Sequence, residues 1–397
     1  MRVLYVSHTS LISGAERSLI DLLDALGEQV EPLLATPPGP LRELAEEHGV
    51  ATTAIRGTAG SLRLHPLHTP RALAEMALAA RQVKRAAAEH RAELVHANSI
   101  RAGIVLALAR LGGTPTIVHV RDCLPPGLVS AATLRLVAAT ATRIVANSRY
   151  TATSVLARAP RARVEVVHNA VDLARFDPTR IDRGAARARL ADTIGAGARP
   201  LLGVVAQLTP WKGQETAIEA LRELRAEGVE ADLLLIGSAK FVASSTRFDN
   251  QGFLARLRAL VARAGLEQRV HWLGEREDVP EIVRALDALL LPSWEEPFGR
   301  AVIEAMALAV PVVATSVGGP RELVEDGREG YLVAPRDARA WAAAIARVLR
   351  SPDGGAAMGR AGRERVERDF GFAQLAVAIL ATYEGAVNDL AKADGHP

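Results

Sequence analysis

Cysteine is nearly missing: Cys123 is the only one in 397 residues, which excludes an intramolecular disulfide and any cysteine-built zinc site. A reducing compartment such as the cytoplasm is the setting this favours. Aromatic residues make up only 4% of the chain and no basic cluster is interleaved with them, so nucleic acid is not an expected partner. No uninterrupted apolar run reaches membrane-spanning length, and the short one at residues 2–7 reads as a buried strand rather than a leader. Lysine is scarce too. Lys84, Lys212, Lys240 and Lys392 stand against 44 arginines, so a lysine at a chemically suggestive place asks for its own explanation.

Short β-branched or aliphatic runs alternate with longer Ala/Leu/Arg patterns of helical period, which predicts an α/β chain with parallel sheets built from crossovers. Strands are expected at 2–7, 30–36, 50–55, 94–98, 116–120, 143–146 and 164–167, then at 201–208, 232–237, 270–273, 288–291 and 310–315. Each half is a doubly wound unit in its own right. The stretch 177–200, rich in Arg, Asp, Gly and Pro, reads as the connection between them.

Charge is divided unevenly. Residues 1–176 carry 20 Lys/Arg against 14 Asp/Glu, a net of +6 that leaves −3 for the rest of a +3 chain, and residues 97–176 alone reach +7 with 10 against 3. Such a surface suits a phosphate-bearing acceptor or a peripheral contact with an anionic membrane. Residues 71–91 form a helical pattern with Arg71, Arg81, Lys84, Arg85 and Arg91, and with Leu73, Met76, Ala77 and Ala80 at helical spacing. This is either a surface-bound amphipathic helix or an ordinary one packed on its own sheet.

Chemistry concentrates in the run Glu-Pro-Phe-Gly-Arg-Ala-Val-Ile-Glu from Glu296 to Glu304. Pro297 suits a first helical position, which would leave Glu296 on the incoming loop and put Glu304 two turns inside the helix. A phosphate beside Phe298 and Gly299 at the helix N-terminus, a ribose diol on Glu304 and a hexose on Glu296 make a coherent sugar-nucleotide site. Upstream, Lys212 follows the predicted strand at 201–208, on the sheet edge where ligands of open α/β sheets bind. Its ammonium there would neutralise a diphosphate. Gly14 sits between the first strand and the next helix, where a backbone without Cβ lets a phosphate or sugar approach. His119 ends the strand at 116–120, ahead of Arg121, and a neutral imidazole there can bond a sugar hydroxyl. His96 and Asn98 occupy the analogous edge of the preceding strand and, with Arg121, are candidate acceptor contacts.

These segments, with Ser13-Gly14-Ala15-Glu16, Val167-His168-Asn169-Ala170-Val171-Asp172 and Phe176, Lys212-Gly213, Trp272-Leu273-Gly274 and Val317-Gly318-Gly319, make the chain resemble the retaining glycosyltransferases of family 4 over nearly its whole length. The resemblance implies a GT-B fold of two facing Rossmann-like domains. It places an acceptor-binding domain at 1–176, to which a C-terminal helix at 373–397 returns, and a nucleotide-sugar domain at 177–372. It also implies that Gly14 faces the donor diphosphate and that His119 lies near the transferred sugar. One departure stands out. Ala206-Gln207-Leu208 replaces the common Gly-Arg-Leu, so neutral Gln207 stands where the family usually has the arginine partner of Lys212.

The reaction expected is transfer of a hexose from a nucleoside diphosphate sugar, a UDP-sugar favoured over GDP-mannose, to a hydroxyl of a glycan, lipid-linked or small-molecule acceptor with retention. No Asp-x-Asp motif lies near the site, so neither a metal nor another cofactor is expected. Two other readings stay open: a nucleotide-sugar epimerase or hydrolase of the same architecture, and a non-catalytic sugar-nucleotide-binding subunit, which the Gln207 departure motivates.

Overall fold

The computed structural model describes residues 1–58, 68–195, 199–239 and 248–393; Lys240 and the side chain of Arg71 lie outside them. The chain divides into two compact units, one formed by Met1–Ala170 with Phe372–Pro397 and the other by Val171–Gly371. The division falls six residues before the expected boundary at 176, because Val171 and Phe176 are buried in the core of the second unit. The expected connection at 177–200 also belongs to that unit. Its helix Arg183–Ile194, capped by Asp182, buries Ala186 and Leu190 in the same core.

The first unit is built on a sheet of seven strands, β1 (Arg2–Val6), β2 (Glu31–Thr36), β3 (Ala51–Ala54), β4 (Leu94–Ala97), β5 (Thr116–Val120), β6 (Arg143–Ala146) and β7 (Val164–Val166), in the order β3-β2-β1-β4-β5-β6-β7. The second holds six, β8 (Leu201–Val205), β9 (Asp232–Ile236), β10 (Val270–Gly274), β11 (Ala288–Leu291), β12 (Val312–Thr315) and β13 (Gly330–Val333), in the order β10-β9-β8-β11-β12-β13. Central strands such as β4, β9 and β11 are buried along their whole length, which is why they read as mainly apolar runs, broken only by His96 in β4 and Asp232 at the start of β9. All twelve expected strands form. The thirteenth, β13, follows Asp326-Gly327-Arg328-Glu329 and is short enough for the turn signal to mask it.

Each strand order reverses once, between β1 and β4 and between β8 and β11. In sheets of this kind the crevice outside the carboxyl ends of the two strands at the reversal is the natural ligand position.

The helix Phe372–Ala393 completes the first unit, burying Leu375, Ala376, Ile379, Tyr383 and Ala386 against Leu19, Leu22 and Leu26 of the helix Gly14–Leu26. A stretch within residues 356–392 is long and apolar enough to match a membrane span, although in this helix Gln374 and Glu384 interrupt the apolar residues. Its apolar stripe is used within the unit. The helix His68–Glu89 likewise turns Met76, Ala79, Ala80 and Val83 into the core, although Leu73 and Leu78 stay exposed. This is the packed-on-its-own-sheet alternative for most of its apolar face.

Candidate functional site

The second unit brings Lys212 and Glu296 together. Lys212 ends a short 3-10 turn after β8, Glu296 lies on the loop after β11, and these are the two strands at the reversal. Lys212 Nζ donates to Glu296 Oε2 at 2.7 Å, and the buried Ser293 hydroxyl donates to the same oxygen at 2.8 Å. The ammonium also lies 4.0 Å from the centre of the Trp211 ring. Both side chains are largely covered, 16% and 9% exposed.

Close backbone packing holds the two loops in place. The Trp294 amide donates to the Trp211 carbonyl at 2.8 Å, joining the β8 and β11 loops directly. Gly213 has φ 72°, and a Cβ there would sit 1.9 Å from the Pro292 carbonyl oxygen. The β12 loop braces Glu296 from the other side. Glu296 forms an isolated bridge with Gly318, and its carbonyl accepts from the Gly319 amide at 2.8 Å. Trp294 carries the Arg336 guanidinium over its ring at 3.7 Å.

This bracing changes three expectations. Because residue 296 is held extended against Gly318, Pro297 does not open the helix; the helix runs from Arg300 to Ala307 with Gly299, at φ 107°, as its N-cap. Glu304 is therefore one turn inside, where Arg300 Nη2 bonds its carboxylate at 3.1 Å. Phe298 is 2% exposed and packs edge-on to Phe370 in the core, so its ring anchors the loop and only its backbone remains for a ligand. Gln207 is half-buried, and its carbonyl accepts from the buried Gln214 amide at 2.9 Å.

In the first unit, Gly14 is the first residue of the helix Gly14–Leu26, and Ser13 caps it with Glu16, whose carboxylate takes the Ser13 amide and hydroxyl. Burial pushes the Glu16 carboxyl above its usual range, and Asp122 adds to it. Asn98 and Arg121 are buried parts of one lattice rather than open contacts. Arg121 donates to Asn98 Oδ1 at 3.0 Å and to Asn169 Oδ1 at 2.7 Å, while Asn98 donates to the Ala15 carbonyl at 3.1 Å. Asn169 belongs to the Val167–Asp172 motif, which thereby acquires a structural role. His96 is buried with its Nδ1 2.6 Å from the Tyr383 hydroxyl, and its ring packs 5.4 Å from that of His119. Among the described residues, His96 Nε2 and both nitrogens of His119 are buried without a hydrogen-bond partner.

Burial holds these imidazoles neutral. His8 and His96 are both pushed down to about 3, by burial first and then by Arg101 and Arg121 respectively, and His119 is lowered well below 6.5 by burial, Arg121 and His96. With folded values below the unfolded 6.5, the unfolded chain binds more protons between about 3 and 6.5. The stability these groups contribute is complete above 6.5 and is lost as the pH falls through that window; His8 and His96 each cost about 2 kcal/mol by about pH 5. Glu16 works in the opposite sense, one group against three. Opening free energies of the β4 and β5 amides, from hydrogen exchange, should therefore fall between pH 7 and 5, and less so in His96→Gln. A flat profile would contradict the burial of neutral histidines.

Nothing local in the sequence marks Ser293, Trp211, Trp294, Tyr5 or Tyr383 as functional. Only the scarcity of tryptophan signalled anything: two of the four flank the Lys212–Glu296 pair.

Comparison with known proteins accords with this geometry. Residues 12–175 match the family described as Glycosyltransferase Family 4, and residues 193–365 match Glycosyl transferases group 1. The D-inositol 3-phosphate glycosyltransferase of Mycobacterium marinum is 34% identical over 63% of this chain and 51% of its own length. The 2-deoxystreptamine glucosyltransferase of Streptomyces kanamyceticus is 32% identical over 56% of this chain and 54% of its own. The chain thus spans about half the length of the curated relatives it matches. Among solved structures, Anabaena HepE in complex with UDP and glucose superposes with a TM-score of 0.82 at 26% identity, covering 97% of this chain and 99% of the other. HepE has also been solved with UDP-glucose, at a TM-score of 0.81. With two parallel α/β units, and with nearly all of both spanned by these matches, the chain belongs to the family 4 glycosyltransferases of GT-B fold.

Proposed function

We propose that the protein transfers a hexose from a UDP-sugar to a hydroxyl of a small polyhydroxylated acceptor, with retention of anomeric configuration and without a divalent metal. The observation that carries this reading is the Lys212–Glu296 pair at the strand reversal of the second unit. Breaking the anomeric C–O bond puts charge on the departing diphosphate and positive character on the sugar ring. Lys212 is a preorganised cation for the first. Glu296, held by Ser293, is an acceptor for sugar hydroxyls, and Glu304 for the ribose. In the absence of donor the ammonium and carboxylate satisfy one another; a diphosphate would share the ammonium and leave the carboxylate to the sugar.

Several features support the finer choices. The UDP and UDP-glucose complexes of HepE favour a uridine donor. The relatives named for inositol phosphate and 2-deoxystreptamine favour a polyhydroxylated ring as acceptor, for which the basic first unit, with His96 and His119, is the proposed binding side. A cytoplasmic site, peripheral to a membrane when the acceptor is lipid-linked, fits the same reading.

Donor and acceptor roles are testable separately. UDP or a UDP-sugar should raise the melting temperature with EDTA present, more than GDP- or ADP-sugars do, because ligand that binds only the native state stabilises it by mass action. Adding myo-inositol or its phosphate should then yield glycosylated product. Turnover of donor without acceptor would favour the hydrolase or epimerase alternative. Donor binding with no turnover across an acceptor panel would favour a non-catalytic subunit, and a strict magnesium requirement would remove the metal-free mechanism.

A further inference from the structure

Tyr383 lies in the helix that returns to the first unit, yet its hydroxyl reaches the ligand edge of the sheet. It is buried there, 2.6 Å from His96 Nδ1 and 3.2 Å from the Tyr5 hydroxyl. The Tyr5 and His96 rings are 5.4 Å apart, His96 and His119 likewise 5.4 Å, and Tyr383 meets His96 edge-on at 5.7 Å. β1, β4 and β5 are neighbours in the sheet, so the four rings form one row across the strand reversal.

Donor accounting fixes a direction along this row. A phenol hydroxyl has one proton, so Tyr383 donates to one neighbour and accepts from the other. The Tyr383 hydroxyl donates to the Tyr5 hydroxyl. It therefore accepts from His96 Nδ1–H, which leaves Nε2 of the neutral imidazole as a bare acceptor. That Nε2 and the two nitrogens of His119 are buried polar atoms without a hydrogen-bond partner among the described residues, a costly condition that a binding site explains and a packed core does not.

We propose that Tyr383 is a positioning residue for sugar transfer: it fixes the tautomer and ring plane of His96, which packs against His119, so that both imidazoles present fixed donor and acceptor atoms to substrate hydroxyls. This rests on the reading of His119 as a substrate-facing histidine. A tyrosine carried by the C-terminal helix thus sets the polarity of the first unit's ligand edge.

Tyr383→Phe keeps the ring and removes only the hydroxyl. In protein labelled with 15N-histidine, the wild type should show His96 as the Nδ1–H tautomer alone, and Tyr383→Phe a mixture. kcat should fall about 10-fold, the lower end of what losing a histidine's orienting partner costs at metal sites, while UDP affinity stays unchanged. In a His119→Asn background the same substitution should cost nothing further, because both changes act on one element. If Tyr383→Phe does not fold, His96→Gln breaks the same bond from the other end and carries the same kinetic expectations. An unchanged tautomer with unchanged kcat, or an equal loss in the His119→Asn background, would overturn the proposal. Near-wild-type turnover of His119→Asn would remove the underlying reading and this one with it, whereas a crippled His119→Asn beside a normal Tyr383→Phe would sink this one alone.

Discussion

Lys212→Ala and Glu296→Gln should each lose about 100-fold or more in kcat/KM, the scale on which removing one preorganised charge at a reacting centre is felt. Their effects on stability should part company. Removing Lys212 strands a carboxylate that is only 9% exposed, with Ser293 its remaining hydrogen-bond donor from a side chain. Breaking one side of such a pair costs about 3 to 5 kcal/mol when burial is complete, and somewhat less here. Glu296→Gln leaves a neutral amide that still accepts from Ser293, so its cost should be small. Lys212→Ala/Glu296→Ala should then be less destabilised than the two single alanine changes summed, since the double change removes both charges. All four tryptophans lie between residues 171 and 371, so their fluorescence in a urea titration follows the second unit alone. Strict additivity there would mean that the pair is not coupled, and near-wild-type turnover by either single variant would dissolve the site assignment.

Gly318→Ala should be among the most damaging changes of a single methyl group in the second unit. Its φ of 99° is unfavourable for any L side chain, and its new Cβ would fall 2.0 Å from the Glu296 carbonyl oxygen, so backbone must move. A loss of about 3 kcal/mol or more is expected, together with loss of transfer as Glu296 is displaced. Gly327→Ala supplies the contrast. It shares a positive φ, 84°, but nothing lies within 4 Å of its Cβ, so only the conformational strain of about 1 kcal/mol applies. Urea midpoints and turnover of the two variants, measured side by side, separate collision from strain. Equal small losses would mean that the β12 loop does not brace Glu296.

Legibility in the sequence followed the range of the forces involved. Buried parallel strands declare themselves because burial on both faces demands apolar runs, as in Leu233–Ile236 and Ala288–Leu291, and the two-unit architecture follows from their alternation with helices. Lys212 and Glu296 were legible for their positions after strand ends, but not for their mutual bond, which joins residues 84 apart. Pro297 misled because a local preference for opening a helix lost to a bridge with Gly318, a partner from another strand's loop. The same holds for His96, which reads as a strand-end contact until Tyr383, 287 residues later, takes up its Nδ1. Gly213 and Gly318 were visible within motifs, yet nothing local says which backbone oxygen a side chain there would strike.

The return of Phe372–Ala393 to the first unit has a consequence for biosynthesis. Residues 171–371 form an insertion within a discontinuous body, and they are complete before the helix that finishes that body has been made. A nascent chain at that stage carries one finished unit and one whose core, around Leu19, Leu22 and Leu26, still lacks its covering helix. Until residue 393 has been added, the apolar surface is open to chaperones or to other chains, and the Tyr383 hydroxyl has not reached His96. The first unit therefore completes the core on one face of its sheet and its polar row at the same late moment, so a chain stopped short of that helix would carry the Lys212–Glu296 pair beside a first unit with that face uncovered.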